Sequence, residues 1–255
     1  MILNYFSSPL EQFEVLVMYP FPLFGLLDIS FTNSSFYMFV IISIVLFLNY
    51  VTFFNIKLLP VSGFSGIFEF LYTFIFGMIR QQSGLYGQVF FPYFFLYFWF
   101  ILVSNVLGLL PYGFTVTGHI IVIFFLAFSI NFSFFLFGVA KHGLKFFLLF
   151  FPKGSPLPLI PLLVVIEILS YLLRTLSLSI RLFANMMAGH TLMFILSSFM
   201  ISFFSLGFLG LFPAFLNFML LFAIFCLEMG IACLQSYVFV ILLSIYLRDS
   251  VSPVH

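Results

Sequence analysis

From Gln81 to Ala140, sixty residues pass without a single Asp, Glu, Lys or Arg. A water-soluble domain carries about a quarter charged residues, and the 255 residues as a whole are 64% hydrophobic and only 6% charged. The apolar side chains must therefore face lipid or one another, and the chain is predicted to be an all-α polytopic membrane protein. A net charge of +1, with Lys and Arg scattered singly, gives no electrostatic footprint for nucleic acid.

The spans follow from length. Residues 36–56 are uncharged and supply one crossing of a hydrocarbon core about 30 Å thick, at roughly 1.5 Å per residue. Residues 61–84 mix apolar positions with Glu69, Arg80, Gln81 and Gln82, a pattern that suits a helix lying in the membrane interface. The long uncharged stretch is cut by Pro111, Tyr112, Gly113 and the polar residues up to His119, giving crossings at about 90–111 and 120–140. The run 161–199 would be roughly 57 Å long as one helix, so it is either broken or strongly tilted against a neighbour. The run 212–247 is that neighbour, with Gly207, Gly210 and Pro213 at the turn.

The organisation expected is a single membrane domain over 1–255. It comprises an N-terminal segment (1–35), a first crossing (36–56), a loop with an interfacial helix (57–89), a transmembrane hairpin (90–140) and a long tilted hairpin (161–247). With five crossings, Lys57, Arg80, Lys141, Lys145, Lys153 and Arg248 share one side, and Glu11, Glu14 and Asp28 share the other. The positive-inside rule puts the basic side in the matrix or cytoplasm. No Lys or Arg precedes Lys57, so no basic-headed signal or Arg-rich transit peptide is expected, and the mature chain is expected to start near residue 1. Forty-five Phe residues are what a T-rich organellar coding strand would give. Cys226 and Cys233, seven apart on one helix, are too distant to bridge and are expected to be small buried apolar residues. No metal or cofactor site is implied.

Arg181 lies within SLSIRLFANMMAGH (177–190), and no further Lys, Arg, Asp or Glu follows until Glu228. Its guanidinium stays charged at physiological pH, at a cost of about 2.5–3.5 kcal/mol at a bilayer centre. An intramembrane charge of this kind is a functional hypothesis by default. Glu167, Arg174 and Arg181 are spaced by seven, each step climbing about 10 Å and turning by about −20°. With Ser170 and Ser177 they make a polar stripe, which Asn185 extends one turn further. Glu228 and Gln235 are again seven apart on the last helix.

Folding the two long helices antiparallel about residue 208 places Arg181 opposite Gln235. It also places His190 opposite Glu228, about 10–14 Å nearer the far side. Glu167 lies about 21 Å from Arg181 in the other direction. The polar groups thus form two sets flanking a permanent cation, the layout of two offset proton half-channels. The cation blocks a direct leak and attracts a carboxylate carried past it on a moving partner. Arg174 either snorkels to the basic interface or pairs within the bundle, with Glu167 as its partner. Asn105 and His119, near the far-side turn, read either as interfacial polar caps or as path residues.

These residues carry a resemblance. The stretches IEILSYLLRTLSLSIRLFANMMAGHTLMFIL (166–196) and LEMGIACLQSYVFVILLSIYL (227–247) closely resemble subunit a of F-type ATP synthases, and FWFILVSNVLGLLPYGFTVTGH (98–119) and SPLEQFE (8–14) are similar to it as well. The resemblance implies that Arg181 is the essential arginine facing the carboxylate of a rotating c-ring, with Asn185 and Gln235 as polar neighbours. It implies matrix-side channel positions at Glu167 and Ser170, and a far-side pair at His190 and Glu228 in the mitochondrial arrangement. It also implies c-ring, peripheral-stalk and other membrane-sector subunits as partners, no cofactor, a mitochondrial inner-membrane location with the N-terminus in the intermembrane space, and a chain that is no enzyme by itself. Two rivals stand beside it. A haem-carrying respiratory subunit needs facing axial ligands, which His119, His142, His190 and His255 do not supply as pairs. A non-conducting membrane scaffold would tolerate loss of the intramembrane charges.

Overall fold

A computed structural model describes residues 13–20, 22–23, 27–28, 30–54, 63–110, 113–143, 146 and 160–251. Lys57, Lys145, Lys153, Pro111, Tyr112, His255 and residues 8–12 of the SPLEQFE segment lie outside them. The protein is all-α apart from two short antiparallel ribbons near the N-terminus. In one, β1 (Val17–Tyr19) pairs with β4 (Phe31–Thr32); in the other, β2 (Pro22–Leu23) pairs with β3 (Leu27–Asp28). Five helices follow: α1 (Asn33–Phe54), α2 (Gly63–Gly108), α3 (Ile120–His142), α4 (Ile160–Phe204) and α5 (Leu211–Val251). All five contain a segment long and apolar enough to cross a membrane, the crossing part of α2 being Gly87–Gly108.

Local chemistry sets the element ends. At the start of α1 the Thr32 backbone N–H donates to the Ser35 hydroxyl at 3.0 Å, and the Ser35 N–H returns a bond to the Thr32 hydroxyl at 3.4 Å. This reciprocal cap satisfies donors that a helix N-terminus leaves open. Asn33 ties the same end to the ribbon, its side chain accepting from the Leu16 N–H and donating to the Glu14 carbonyl. Gly84, at φ 63° and ψ −144°, breaks α2 into two straight parts. Its left-handed φ is easy only for glycine. Before the bend, Phe68, Ile75, Met78 and Ile79 are buried, while Glu69, Arg80 and Gln81 are exposed together with Ile67, Phe70, Tyr72 and Phe74.

The last two helices depart from part of the expectation. Helix α4 runs unbroken for 45 residues and α5 for 41, roughly 67 and 61 Å at 1.5 Å per residue. Both exceed a core of about 30 Å by roughly a factor of two, and neither is broken. The turn between them is a 3-10 segment, Gly207–Gly210, with Gly207 at φ 69°. A side chain at Gly210 would run into the Phe203 carbonyl, and Pro213 falls in the first turn of α5, where its missing N–H costs nothing.

The chain divides into two compact units. The first comprises Met1–Ile44, Ile101–His119 and Leu182–Gln235. Its core is built on Leu109, Met186 and Ala232, with Met193, Phe225 and Met229 packed around them. Within it α4 and α5 run antiparallel, and the Asn217 amide on α5 donates to the Leu196 carbonyl on α4 at 2.8 Å. The second comprises Val45–Phe100, Ile120–Arg181 and Ser236–His255. Aromatic rings dominate here: Phe68 stacks on Trp99 at 4.8 Å, and Phe90 and Phe94 both meet Phe134. The basic end of α3 closes on the end of α5, with His142 Nε2 2.8 Å and Lys141 Nζ 3.4 Å from the Val251 carbonyl. Cations belong at such a carbonyl terminus.

Candidate functional site

In the first unit, polar side chains gather where apolar ones would be cheaper. His190, Glu228 and Gln235 are buried, and Asn105 is fully so. Gly189 makes room for the acid: a side chain there would overlap both carboxylate oxygens and the Cδ of Glu228. The carboxylate therefore lies against the α4 backbone one residue from His190, as the antiparallel register predicts. No hydrogen bond or ion pair within the described residues joins the two side chains. His190 instead meets the edge of Phe13, at 6.0 Å between centroids and 87° between planes, and its Nε2 has no protein partner.

The neighbouring polar atoms share this condition. Asn105 donates weakly to the Ala232 carbonyl at 3.5 Å while its Oδ1 goes unmet. Asn185 donates to Gln235 Oε1 at 3.4 Å, leaving Gln235 Nε2 unmet. In the loop after α2, the hydroxyls of Thr115 and Thr117 and the Nε2 of His119 are likewise buried without a partner. A buried polar atom without a partner costs about 1–3 kcal/mol, and native proteins satisfy such groups with ordered water. Six such atoms lie in this unit, and Trp99 Nε1 and the Tyr246 hydroxyl are in the same condition in the other. His119 stacks on Phe114 at 5.1 Å, and burial pushes its imidazole below the ordinary histidine range. Asn105 is thus buried in the protein, with its amide turned to the Ala232 backbone of α5.

In the second unit the stripe on α4 comes apart into different environments. Arg181 is exposed, and no carboxylate lies within ion-pair distance of it among the described residues. Exposed apolar residues on the same helix flank it, among them Leu173, Leu176 and Ile180. Glu167 is also exposed. Arg174 does not take Glu167 as its partner. Its Nη1 lies 3.6 Å from Asp249 Oδ2 on α5, and its guanidinium sits 5.7 Å from the Tyr246 ring centroid. The reason is geometric: about two helix turns, roughly 10 Å of axial climb, separate Glu167 from Arg174, whereas the last turn of α5 brings Asp249 alongside. Ser170 and Ser177 line a shallow open groove of about 570 Å³ with Arg174 and three apolar residues, Ile166, Leu169 and Leu173.

Two features of this unit escape sequence reasoning. Asp249 sits next to Arg248 near the chain end and reads as an interfacial charge. The second is a buried polar knot in which the Tyr171 hydroxyl donates to Asn131 Oδ1 at 2.5 Å and the Asn131 amide donates to the Thr175 hydroxyl. The only signal for it is an Asn in the middle of the Phe-rich α3. The cysteines also differ from expectation: Cys226 and Cys233 are exposed and not bridged to each other, on the same side of α5 as the exposed Leu227 and Leu234. No group of three or more metal-ligating side chains occurs among the described residues.

Comparison with known proteins gives one consistent result. A family model described as "ATP synthase A chain" matches residues 35–248. "ATP synthase subunit a" of Marchantia polymorpha is 44% identical over 249 residues, covering 96% of this chain and 98% of the relative. Proteins of the same name from Xanthobacter autotrophicus and Chondrus crispus are 43% and 42% identical, covering 97% and 95% of this chain and 99% and 95% of theirs.

Proposed function

The chain belongs to the ATP synthase A chain family, and we propose that it is the stationary proton-conducting subunit of a rotary ATP synthase. Two offset half-channels deliver protons to a carboxylate on a rotating ring and remove them again. The far-side path runs past His119, Asn105, Glu228 and His190. The path on the basic side runs past Glu167 and Ser170. Arg181, with Asn185 and Gln235 near its depth, separates the two. The chain forms no chemical bond itself; its product is torque on the ring. Each proton crossing 100 mV releases about 2.3 kcal/mol, so several must pass for each ATP made.

Arg181 carries this reading. It is a permanent cation on an exposed, largely apolar stretch of helix, without a carboxylate partner among the described residues. A charge so costly in lipid is explained by a partner that arrives in trans. A ring carboxylate moving past would lose its proton beside the guanidinium, because an adjacent cation favours the ionised form. The six partnerless polar atoms of the first unit, His190 Nε2 among them, support water on the far side. The gathering of Lys141, His142 and Arg248 about the end of α5 supports a single basic face. By the positive-inside rule that face is the matrix, which puts the N-terminus in the intermembrane space of a mitochondrial inner membrane. Peripheral-stalk and other membrane-sector subunits would hold the chain still against the ring.

The test is proton-driven ATP synthesis in membranes carrying Arg181→Ala, with assembly of the complex followed separately. Loss of synthesis in an assembled complex is expected. Synthesis at the normal rate would make Arg181 structural and end the half-channel reading.

A further inference from the structure

Two arginines of identical chemistry lie seven residues apart on α4, and the structure treats them differently. We propose that Asp249 cancels the charge of Arg174 and thereby decides that Arg181 alone acts as the barrier cation; the inference rests on the proton-conducting role proposed above. Arg174 is reachable from outside. It lines the open groove with Ser170 and Ser177, and its side chain is 38% exposed. A ring carboxylate passing along this helix would find in a bare Arg174 a second site as attractive as the first. An ion that binds too well at an extra site along a path does not leave it.

The geometry removes that site. Asp249 Oδ2 is 3.6 Å from Arg174 Nη1, and the Tyr246 ring holds the guanidinium from the side at 5.7 Å. Tyr246 is itself buried and meets Tyr171 at 6.0 Å between ring centroids, and Tyr171 is fixed by its bond to Asn131. The cation is therefore held against its counter-charge by a packed wall. Asp249 also lies 3.7 Å from Arg248 Nε, but Arg248 is half exposed at the chain end and has water to screen it. Arg174 is deeper and has the greater need of the carboxylate. Its charge becomes half of a dipole, whose attraction for a third charge falls off much faster than that of the free cation at Arg181. Asp249 is a positioning residue in this scheme and carries no proton.

The experiment uses the whole ATP synthase in native membrane vesicles, with assembly checked for each variant. Asp249→Asn leaves Arg174 without this carboxylate, and synthesis is expected to fall about tenfold, one decade of rate. Adding Arg174→Gln to Asp249→Asn removes the stranded cation, and at least threefold recovery over the single variant is expected. The exchanged pair, Arg174→Asp with Asp249→Arg, is expected to assemble and turn over, and it decides the matter if Asp249→Asn does not assemble. Full activity of Asp249→Asn would overturn the proposal. So would a double variant no better than Asp249→Asn, since Asp249 would then be needed for itself, or an exchanged pair that assembles but does not turn over. Arg181→Ala in the same vesicles separates the two levels. If it still makes ATP, the conducting role fails; if it is inactive while the double variant shows no recovery, only the charge-cancelling role fails.

Discussion

Replacing Gly189 with alanine puts a methyl group where Glu228 keeps its carboxylate. The new Cβ would overlap both oxygens and Cδ of that side chain, and the carboxylate has to retreat by about 2 Å before ordinary contact is restored. Folding should hardly register the change. A forced rotamer costs about 0.5–1.5 kcal/mol, and exchanging Gly for Ala inside a helix returns about 1 kcal/mol. The proton path has no such compensation. Transfer between groups needs heavy atoms about 2.6–3.2 Å apart or a single bridging water, and a misplacement of about 1 Å can cost on the order of 100-fold. Gly189→Ala is therefore expected to assemble normally and to lose about 10- to 100-fold in proton-driven ATP synthesis. The assay is synthesis in energised vesicles at matched content of assembled complex. A normal rate from an assembled Gly189→Ala complex would show that the position of the Glu228 carboxylate beside His190 does not matter, and the far-side path would have to be drawn elsewhere.

Two further outcomes follow from the structure. Asn131→Leu strips the Tyr171 and Thr175 hydroxyls of their buried partner, which should lower stability by about 1–2 kcal/mol; an unchanged melting midpoint of the purified complex would refute the polar knot as a contributor. His119 is held below the ordinary histidine range by burial, so the unfolded segment takes up a proton first as the medium is acidified. The contribution of the neutral ring is then complete above about pH 6.5 and is lost as the pH falls through that value. Hydrogen exchange across residues 113–119 should accelerate on going from about pH 7 to about pH 5.5, and His119→Gln should flatten the response.

The crossings are legible in the sequence because lipid punishes charge: long uncharged runs leave little choice of where α1, the second part of α2, and α3 can lie. The antiparallel register of the hairpin is legible too, since polar residues spaced by seven on both helices can align in few ways. The contacts between Gly189 and Glu228, Asn185 and Gln235, and Tyr171 and Tyr246 all join residues whose numbers add to about twice 209. What the pattern cannot carry is continuity and choice of partner. Nothing in residues 160–204 distinguishes a tilted helix from a broken one, because both spend the same apolar residues. Arg174 reaches Asp249 through a side-chain direction that spacing along one helix does not contain. Asn105 looks like a cap because it lies near a turn in sequence, although it is buried against α5. The ribbons between Val17 and Thr32 are two or three residues long, too short to alternate visibly.

The bend at Gly84 gives the protein an optical handle. Trp99 is the single tryptophan of the chain, and it is stacked face to face on Phe68, which lies on the other side of that bend. Its indole is 7% exposed, so its emission in the isolated chain should be that of a dry environment. Any separation of the part of α2 before Gly84 from the part after it would admit water or lipid to the ring and shift that emission. Tryptophan fluorescence of the unlabelled chain thus reports on the packing of the two parts of α2 at this bend, which makes the seating of the first part measurable without introducing a probe.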